Sequence, residues 1–459
     1  KAFDQDTRLS LIITPPNLNP NLHEAIVTGP NEGWRMISAP IDGVTYEDLL
    51  GNLWTKGFPG ADEATGTPNV FWFDETDRDN PQTAGWNTPS SMQDFVGSSS
   101  QSVSAEQTAG KTILVYVFVD DRDGSTPGFP KRLRLEGAPF TNALMQPLSF
   151  TPGDDDLAGF QLSGNPYKQA LSWQELLNDE ANADAAFSES IYIWDANMGE
   201  SGAYRVMNGG LQLGGLENEA LPVLSSFQGF WVQATGEDAE LRFNTAHTTE
   251  DDAGLFNGPG EQPELPQLSF TMEGNAEVAA LGFSFSENGR TGFDRADAYL
   301  LESLSDSYIQ LFTTAENGDP LVINNLPLRA QELTLPLFVD ASQNGNMTLS
   351  LSGMQGMEDG WSIILTDNVN GSSFTVDEGF EYNFSHEVSS SDKREASRSA
   401  KAATEMPFEL SSPRVATPDK NMEARFTLDI VYGTPTSTTP GNELPERMQL
   451  SQNYPNPFN

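Results

Sequence analysis

Cysteine is absent from the 459-residue chain. That excludes a disulfide framework, a thiolate nucleophile and any cysteine-ligated metal. Histidine is nearly absent: His23, His247 and His386 stand far apart, and no HExxH spacing occurs. His23 reads as a coil residue, His247 and His386 as strand-end residues, and none has a partner in sequence that would make it a catalytic base. Positive charge is scarce, 24 Lys and Arg against 66 Asp and Glu, for a formal net charge of -42. Nucleic acid is excluded as an expected partner, because binding it needs cations that neutralise phosphate. An anionic membrane surface is disfavoured for the same reason. No apolar run reaches the roughly 18–20 residues of a membrane span. No GxSxG elbow and no Gly-rich phosphate loop occur. The chain begins at Lys1 without Met or an apolar leader, and is read as already processed.

What is abundant points to β-structure. Gly 40 and Pro 30 supply many turns. Hydrophobic residues at 37% and aromatics at 10% suffice for packed cores. The length allows about three or four domains. Two accounts of the acidity compete. In a salt-loving source the self-repulsion is screened and dense carboxylates keep the surface soluble. The plainer account is an ordinary acidic secreted protein.

The middle of the chain repeats. Gly33–Ile41 is matched by Gly159–Tyr167, Val70–Asp74 by Ile191–Asp195, Ile113–Val119 by Gln228–Ala234, and Lys131–Leu135 by Ala239–Phe243. Order is kept, at an offset of about 110–125 residues. Trp34, Met36 and Ser38 alternate with Arg35 and Ile37, the period of a half-buried strand. Leu49, Leu50 and Leu53, and likewise Trp173, Leu176 and Leu177, predict a short helix after the first strand of each unit. A third unit carries strand candidates at 268–272, 279–285, 308–312, 333–338, 347–351, 361–365, 373–376 and 425–431, parted by turn signals such as Glu316–Asp319 and Val369–Gly371. The expected fold is all-β: tandem antiparallel β-sandwich domains with short helical insertions. Residues 1–30 form an extended arm, 31–137 and 138–257 two related β-modules, 258–433 a β-sandwich, and 434–459 a Pro/Thr/Gly linker and a C-terminal segment. Within the third unit, Ser389–Met406 holds Lys393, Arg394, Arg398 and Lys401 and reads as a solvated loop or a cationic patch for an acidic neighbour.

The C-terminal segment Leu450-Ser-Gln-Asn-Tyr-Pro-Asn-Pro-Phe-Asn459 closely resembles the opening of the type A C-terminal sorting domain of the type IX secretion system. Asn453, Tyr454, Pro455, Asn456, Pro457 and Phe458 carry that likeness. It implies export across the outer membrane of Bacteroidota-like bacteria, an extracellular or outer cell-surface location, and the type IX machinery as a partner. The Gly159–Tyr167, Trp173, Ile191–Asp195 and Phe227–Trp231 stretches resemble repeated surface β-modules of this group. Phe293–Leu301 with Leu321–Pro327 resembles the sandwich that often precedes the sorting signal. The resemblance implies address and architecture more than activity.

Calcium is the best chemical expectation. Asp120, Asp121 and Asp123 follow a strong strand and enter a Gly/Pro loop; Asp74–Asp79 and Asp154–Asp156 are further acidic clusters. Clustered loop carboxylates supply the oxygens calcium prefers, although a solvated turn is the plainer account and no complete EF-hand loop is present. Trp72, Trp194 and Trp231 lie in apolar runs and read as core, whereas Trp86 in a polar loop is the best exposed sugar-stacking candidate and Trp54 another. With 66 acids, carboxylate pairs arise by chance and do not diagnose a glycosidase. The expected function is non-enzymatic: a secreted structural or adhesive surface protein, a subunit of a filament or layer. It would self-associate or bind other surface proteins through the strand bearing Leu9, Leu11 and Ile13, added to a neighbour's open sheet edge. The alternatives are a carbohydrate-binding module and a hydrolase whose site is cryptic in sequence.

Overall fold

A computed structural model describes residues 12–13, 19–78, 83–101, 107–120, 128–152, 158–208, 211–213, 223–249, 265–328, 332–357, 360–388, 415–416 and 422–432. Among the described residues it is all-β and sandwich-like, with three short α-helices and several antiparallel sheets. The insertion at 389–406 and the segment 434–459 lie outside the described residues.

The first module comprises β1 (Ile12–Ile13), β2 (Leu22–Val27), β3 (Gly33–Ser38), α1 (Tyr46–Leu50), β4 (Val70–Phe73), β5 (Trp86–Asn87), β6 (Thr112–Val117) and β7 (Lys131–Glu136). The second comprises β8 (Leu144–Leu148), β9 (Phe160–Gly164), β10 (Ala170–Ser172), α2 (Trp173–Asn178), α3 (Glu180–Ala183), β11 (Phe187–Asp195), β12 (Ala203–Met207), β13 (Gln212–Leu213), β14 (Val223–Leu224), β15 (Gly229–Ala234), β16 (Ala239–Phe243) and β17 (Thr248–Thr249). Their wiring is the same. The sheet order β3-β6-β4-β5 in the first is β9-β15-β11-β12 in the second, and the pair β2-β7 corresponds to β8-β16. α1 and α2 each begin on a hydroxyl cap, Thr45 in a capping box with Asp48, Ser172 accepting from the Glu175 N–H. Such caps satisfy amide donors that the first turn leaves unpaired. Each helix buries its apolar side, Tyr46, Leu49 and Leu50 matching Trp173, Leu176 and Leu177.

Hydrogen-bond register corrects one match. Ser38 faces Thr112 in the first module, and Gly164 faces Gly229 in the second. Thr112 therefore corresponds to Gly229, and Ile113 to Phe230, two residues from Gln228. A slip of two leaves every side chain on its own face, which is why hydrophobic pattern alone could not expose it. The arm boundary also moves: Leu22–Val27, placed in the arm, pairs along its length with β7 and buries His23, Ala25 and Val27. His23 is thus a buried strand residue, not a coil residue.

The two modules share one core. A single apolar cluster runs from Ala25 and Val27 through Ile113 to Trp173, Phe230 and Phe243. Their sheets touch where glycine permits it. A Cβ on Gly164 would lie 2.3 Å from Ser38 Cβ, and one on Gly229 would lie 2.2 Å from Thr112 Cγ2. Ser38 donates its N–H to Phe227 O at 2.8 Å, closing the junction. The repeat-equivalent positions 38 and 164, and likewise 112 and 229, meet each other, as in a self-complementary two-fold interface.

The third unit comprises β18 (Gln267–Gly274), β19 (Glu277–Ser286), β20 (Ala298–Tyr299), β21 (Ile309–Thr314), β22 (Pro320–Pro327), β23 (Glu332–Ala341), β24 (Gly345–Gln355), β25 (Trp361–Asp367), β26 (Ser372–Thr375), β27 (Glu381–His386) and β28 (Phe426–Tyr432). They form one curled sheet in the order β26-β25-β28-β23-β21-β22-β19-β18-β24-β27, with β20 on β22. All ladders are antiparallel except β19–β22. The sheet folds over a core that includes Phe270, Phe283, Leu337, Leu365 and Phe384, and its two end strands approach, Phe374 and Tyr382 having ring centroids 4.7 Å apart. The strand candidates all form. β20, β22 and β27 were not among them: β22 is bounded by prolines and buries Asn324 and Asn325, while β27 is a polar edge strand.

Candidate functional site

The residues singled out from sequence are dispersed. Asp120 is exposed, while Asp121 and Asp123 lie outside the described residues, as do Asp79 and Asp154–Asp156. The described acids around Asp74 serve their own loop. Asp74 caps the turn 75–77, accepting from Thr76 N at 3.0 Å and Thr76 Oγ1 at 2.6 Å, and Asp77 accepts from Thr83 Oγ1 at 3.1 Å. Glu75 is fully buried and accepts from Thr151 N (2.9 Å), Thr151 Oγ1 (2.9 Å) and Gly159 N (3.1 Å), tying the first module to the entry of the second. Among the described residues no three His, Cys, Asp or Glu side chains stand together as a metal would require. Ile13 is not free, being paired with Ile26 of its own chain; Leu9 and Leu11 lie outside the described residues. So do Asn453, Tyr454, Pro455, Asn456, Pro457 and Phe458.

Trp86 is corrected from exposed to core. It is 5% exposed and packs edge-on against Phe73 (5.2 Å) and Trp231 (5.6 Å). A two-residue strand, β5, draws it under the sheet by pairing with β4. Trp194 and Trp231 are buried as expected, and Trp54 and Trp72 are half-buried. His247 is also corrected: it ends a 3-10 turn at 245–247 rather than a strand. Its Nε2 sits 2.8 Å from Asp179 Oδ2, and its Nδ1 accepts from Asn244 N at 3.2 Å. With both ring nitrogens engaged, it has no lone pair to offer a substrate. Asp179 is held below the usual carboxylate range by the Ala181 N–H and by His247.

The strongest constellation is the seam between the second module and the curled sheet, which sequence analysis did not assemble. An aromatic cluster spans it: Tyr192, Trp194 and Trp231 pack with Leu300, Phe312 and Ile323. A narrow cleft of about 60 Å³ opens there, lined by Tyr192, Trp194, Tyr204, Glu277, Tyr299 and Tyr308. That volume suits a few waters, whereas sites for drug-sized ligands run to about 300–1,000 Å³. Burial raises the phenols of Tyr192 and Tyr204 well above their ordinary range. Glu277 crosses the seam, accepting from Ser201 N (3.2 Å) and Ser307 Oγ (3.0 Å).

Beside the cleft, the turn 294–297 presents one face to each unit. Toward the curled sheet, Asp297 accepts from Asn325 N (2.6 Å) and from Asp294 N (2.7 Å), and Asp294 accepts from Asn325 Nδ2 (3.1 Å). Toward the second module, Arg295 O accepts from Glu189 N (2.8 Å) and Ala296 O from Asn208 Nδ2 (3.0 Å). Arg295 also pairs with Glu189 at 3.1 Å and lies over the Phe187 ring. Burial, then the neighbouring Asp294, pushes the Asp297 carboxyl up to about 8, against the two N–H donors that favour its charge. Burial raises Asp294 and Glu189 as well. Both oxygens of Asp297 are committed to backbone amides, so the pair is arranged to hold the turn rather than to shuttle protons.

Fold and site together define a multi-unit, sandwich-like β-protein with a buried polar network at an internal junction. Comparisons with protein-family models, with curated proteins and with solved structures find no match to this chain.

Proposed function

We propose that the chain is a secreted structural or adhesive protein of the bacterial cell surface, exported by type IX secretion and serving as a subunit of an extracellular filament or layer. The observation that carries this reading is continuous apolar packing across its units. One cluster runs through both modules, and a second joins them to the curled sheet. Large hydrophobic junctions suppress the relative motion that small polar ones allow, as a load-bearing subunit requires. The resemblance of Leu450–Asn459 to a sorting signal supports export. The acidic loop at Asp120, Asp121 and Asp123 is the proposed calcium site, and other copies of the chain or other surface proteins are the proposed partners.

Negative-stain electron microscopy of the secreted protein in high salt, with and without chelator, tests this. Regular filaments or sheets support the structural role, and their loss with chelator supports calcium at the acidic loop. Deleting Lys1–Pro16 is expected to abolish assembly; unchanged polymers would remove the strand from the mechanism. Dispersed monomers under every condition overturn the structural reading and favour a glycan-binding module.

A further inference from the structure

The cleft at the seam combines one buried charge with aromatic walls. From the second module, β11 and β12 supply Tyr192, Trp194 and Tyr204; the third unit supplies Glu277, Tyr299 and Tyr308. Tyr204 meets Trp194 with ring centroids 5.0 Å apart at 82°, and Tyr192 with centroids 6.3 Å apart at 83°. Ring planes at right angles stand as adjoining walls rather than as a stack, and the face of such a ring attracts a cation. Among the described residues, Glu277 is the only charged group lining the cleft. It is 4% exposed. Its oxygens accept from neutral donors, Ser201 N (3.2 Å) and Ser307 Oγ (3.0 Å), and no Lys, Arg or His of the cleft wall offsets its charge. A buried carboxylate without a counter-ion is costly, and a bound cation would offset that cost. A second carboxylate, Glu302, adds to the negative field at Tyr204.

We propose that the cleft binds a small free organic cation through a quaternary ammonium group, with the rings as its walls and Glu277 as its counter-ion. Size selects this class. One water-sized occupant needs about 10–15 Å³, so a cleft of about 60 Å³ takes about four to six of them. A trimethylammonium group enters such a space and a sugar ring does not. Chemistry selects it too. A quaternary ammonium carries its charge without N–H donors, and a carboxylate whose oxygens already accept hydrogen bonds attracts it through space. A primary ammonium or a metal ion needs several oxygen partners, whereas the single carboxylate of the cleft already serves Ser201 and Ser307. The net charge of -42 enriches cations around the chain as a whole.

Isothermal titration calorimetry of the full chain with tetramethylammonium chloride tests this, with ionic strength held constant by sodium chloride. One saturable site is expected, with a dissociation constant of about 10 mM or tighter. Neopentyl alcohol, of similar shape but uncharged, should bind about tenfold or more weakly, because it lacks the charge that the rings and Glu277 attract. E277Q should weaken tetramethylammonium by about tenfold or more, while E273Q, at an exposed acid on the preceding strand, leaves it unchanged. Heat without saturation, equal affinity for the alcohol, wild-type binding by E277Q or an equal loss in E273Q overturns the proposal. Phosphatidylcholine vesicles carry the same head group, and co-sedimentation of the chain with them would overturn its assignment to a free solute. If circular dichroism shows E277Q unfolded, nuclear Overhauser contacts between the ligand methyl protons and the Trp194 and Tyr204 rings of the wild type decide: their presence supports the site and their absence overturns it.

Discussion

At the scale of single residues, the junction between the modules rests on the absence of two β-carbons. G229A would place a methyl 2.2 Å from Thr112 Cγ2, and overpacking of this kind costs about 1–3 kcal/mol. Chemical denaturation should show that loss for G229A and partial recovery for T112A/G229A, since truncating Thr112 vacates the same space. Glu75 makes a second test. E75Q keeps the shape but replaces one acceptor oxygen by a donor facing Thr151 or Gly159. Leaving a buried donor unmatched costs about 1–3 kcal/mol, so the urea midpoint should fall. Neither role was legible. Glu75 is one of 66 acids, and nothing local separates a carboxylate that reaches residue 151 from one that reaches water. Trp86 was misplaced for the same reason: its flanks are polar, but the partners that bury it, Phe73 and Trp231, come from distant strands.

At the scale of elements, α1, α2 and most strands could be read because their signals are local: an i, i+3, i+4 apolar stripe, an aromatic β-branched run. β22 could not, since a strand buried on both sides with two asparagines depends on partners supplied elsewhere, here a donor from Ser284 and acceptors from the 294–297 turn. That turn also sets a pH dependence of global stability. Asp297 has an ordinary value of 3.8 and a folded value of about 8. Between them the folded state keeps a proton that the unfolded state releases, so stability declines as pH rises from about 4 to about 8 and levels off above. Thermal unfolding across that range should show the decline in the wild type and a shallower one in D297N. Glu189 and Asp294 shift in the same direction and account for the slope that remains.

At the scale of the whole molecule, a net charge of -42 opposes compaction through self-repulsion. Raising monovalent salt from about 0.1 to about 1 M shortens the screening length from about 10 to 3 Å. The melting temperature should therefore rise with salt, and assembly, if the structural reading holds, should strengthen in parallel. A melting temperature indifferent to salt would remove the salt-loving account of the acidity. Charge on this scale is a bulk property and was plain in the composition. The merging of the two modules into one core was not, because each repeat read alone has the pattern of a complete unit.

The sequence by itself determined the all-β class, the internal repeat, the two short helices α1 and α2 and most strands of the third unit, all of which rest on periodicities spanning a few residues. It also carried the C-terminal resemblance on which the export proposal depends. Only the tertiary structure decided that Gly164 and Gly229 let the two sheets meet, that β2 belongs to the first module, that Trp86 is core, and that Asp294, Asp297, Glu189 and Arg295 converge on one seam. Those facts depend on which distant segments become neighbours. Proximity is set by the packing of all the apolar faces at once, and a stretch of sequence states its own face but not the face it will meet.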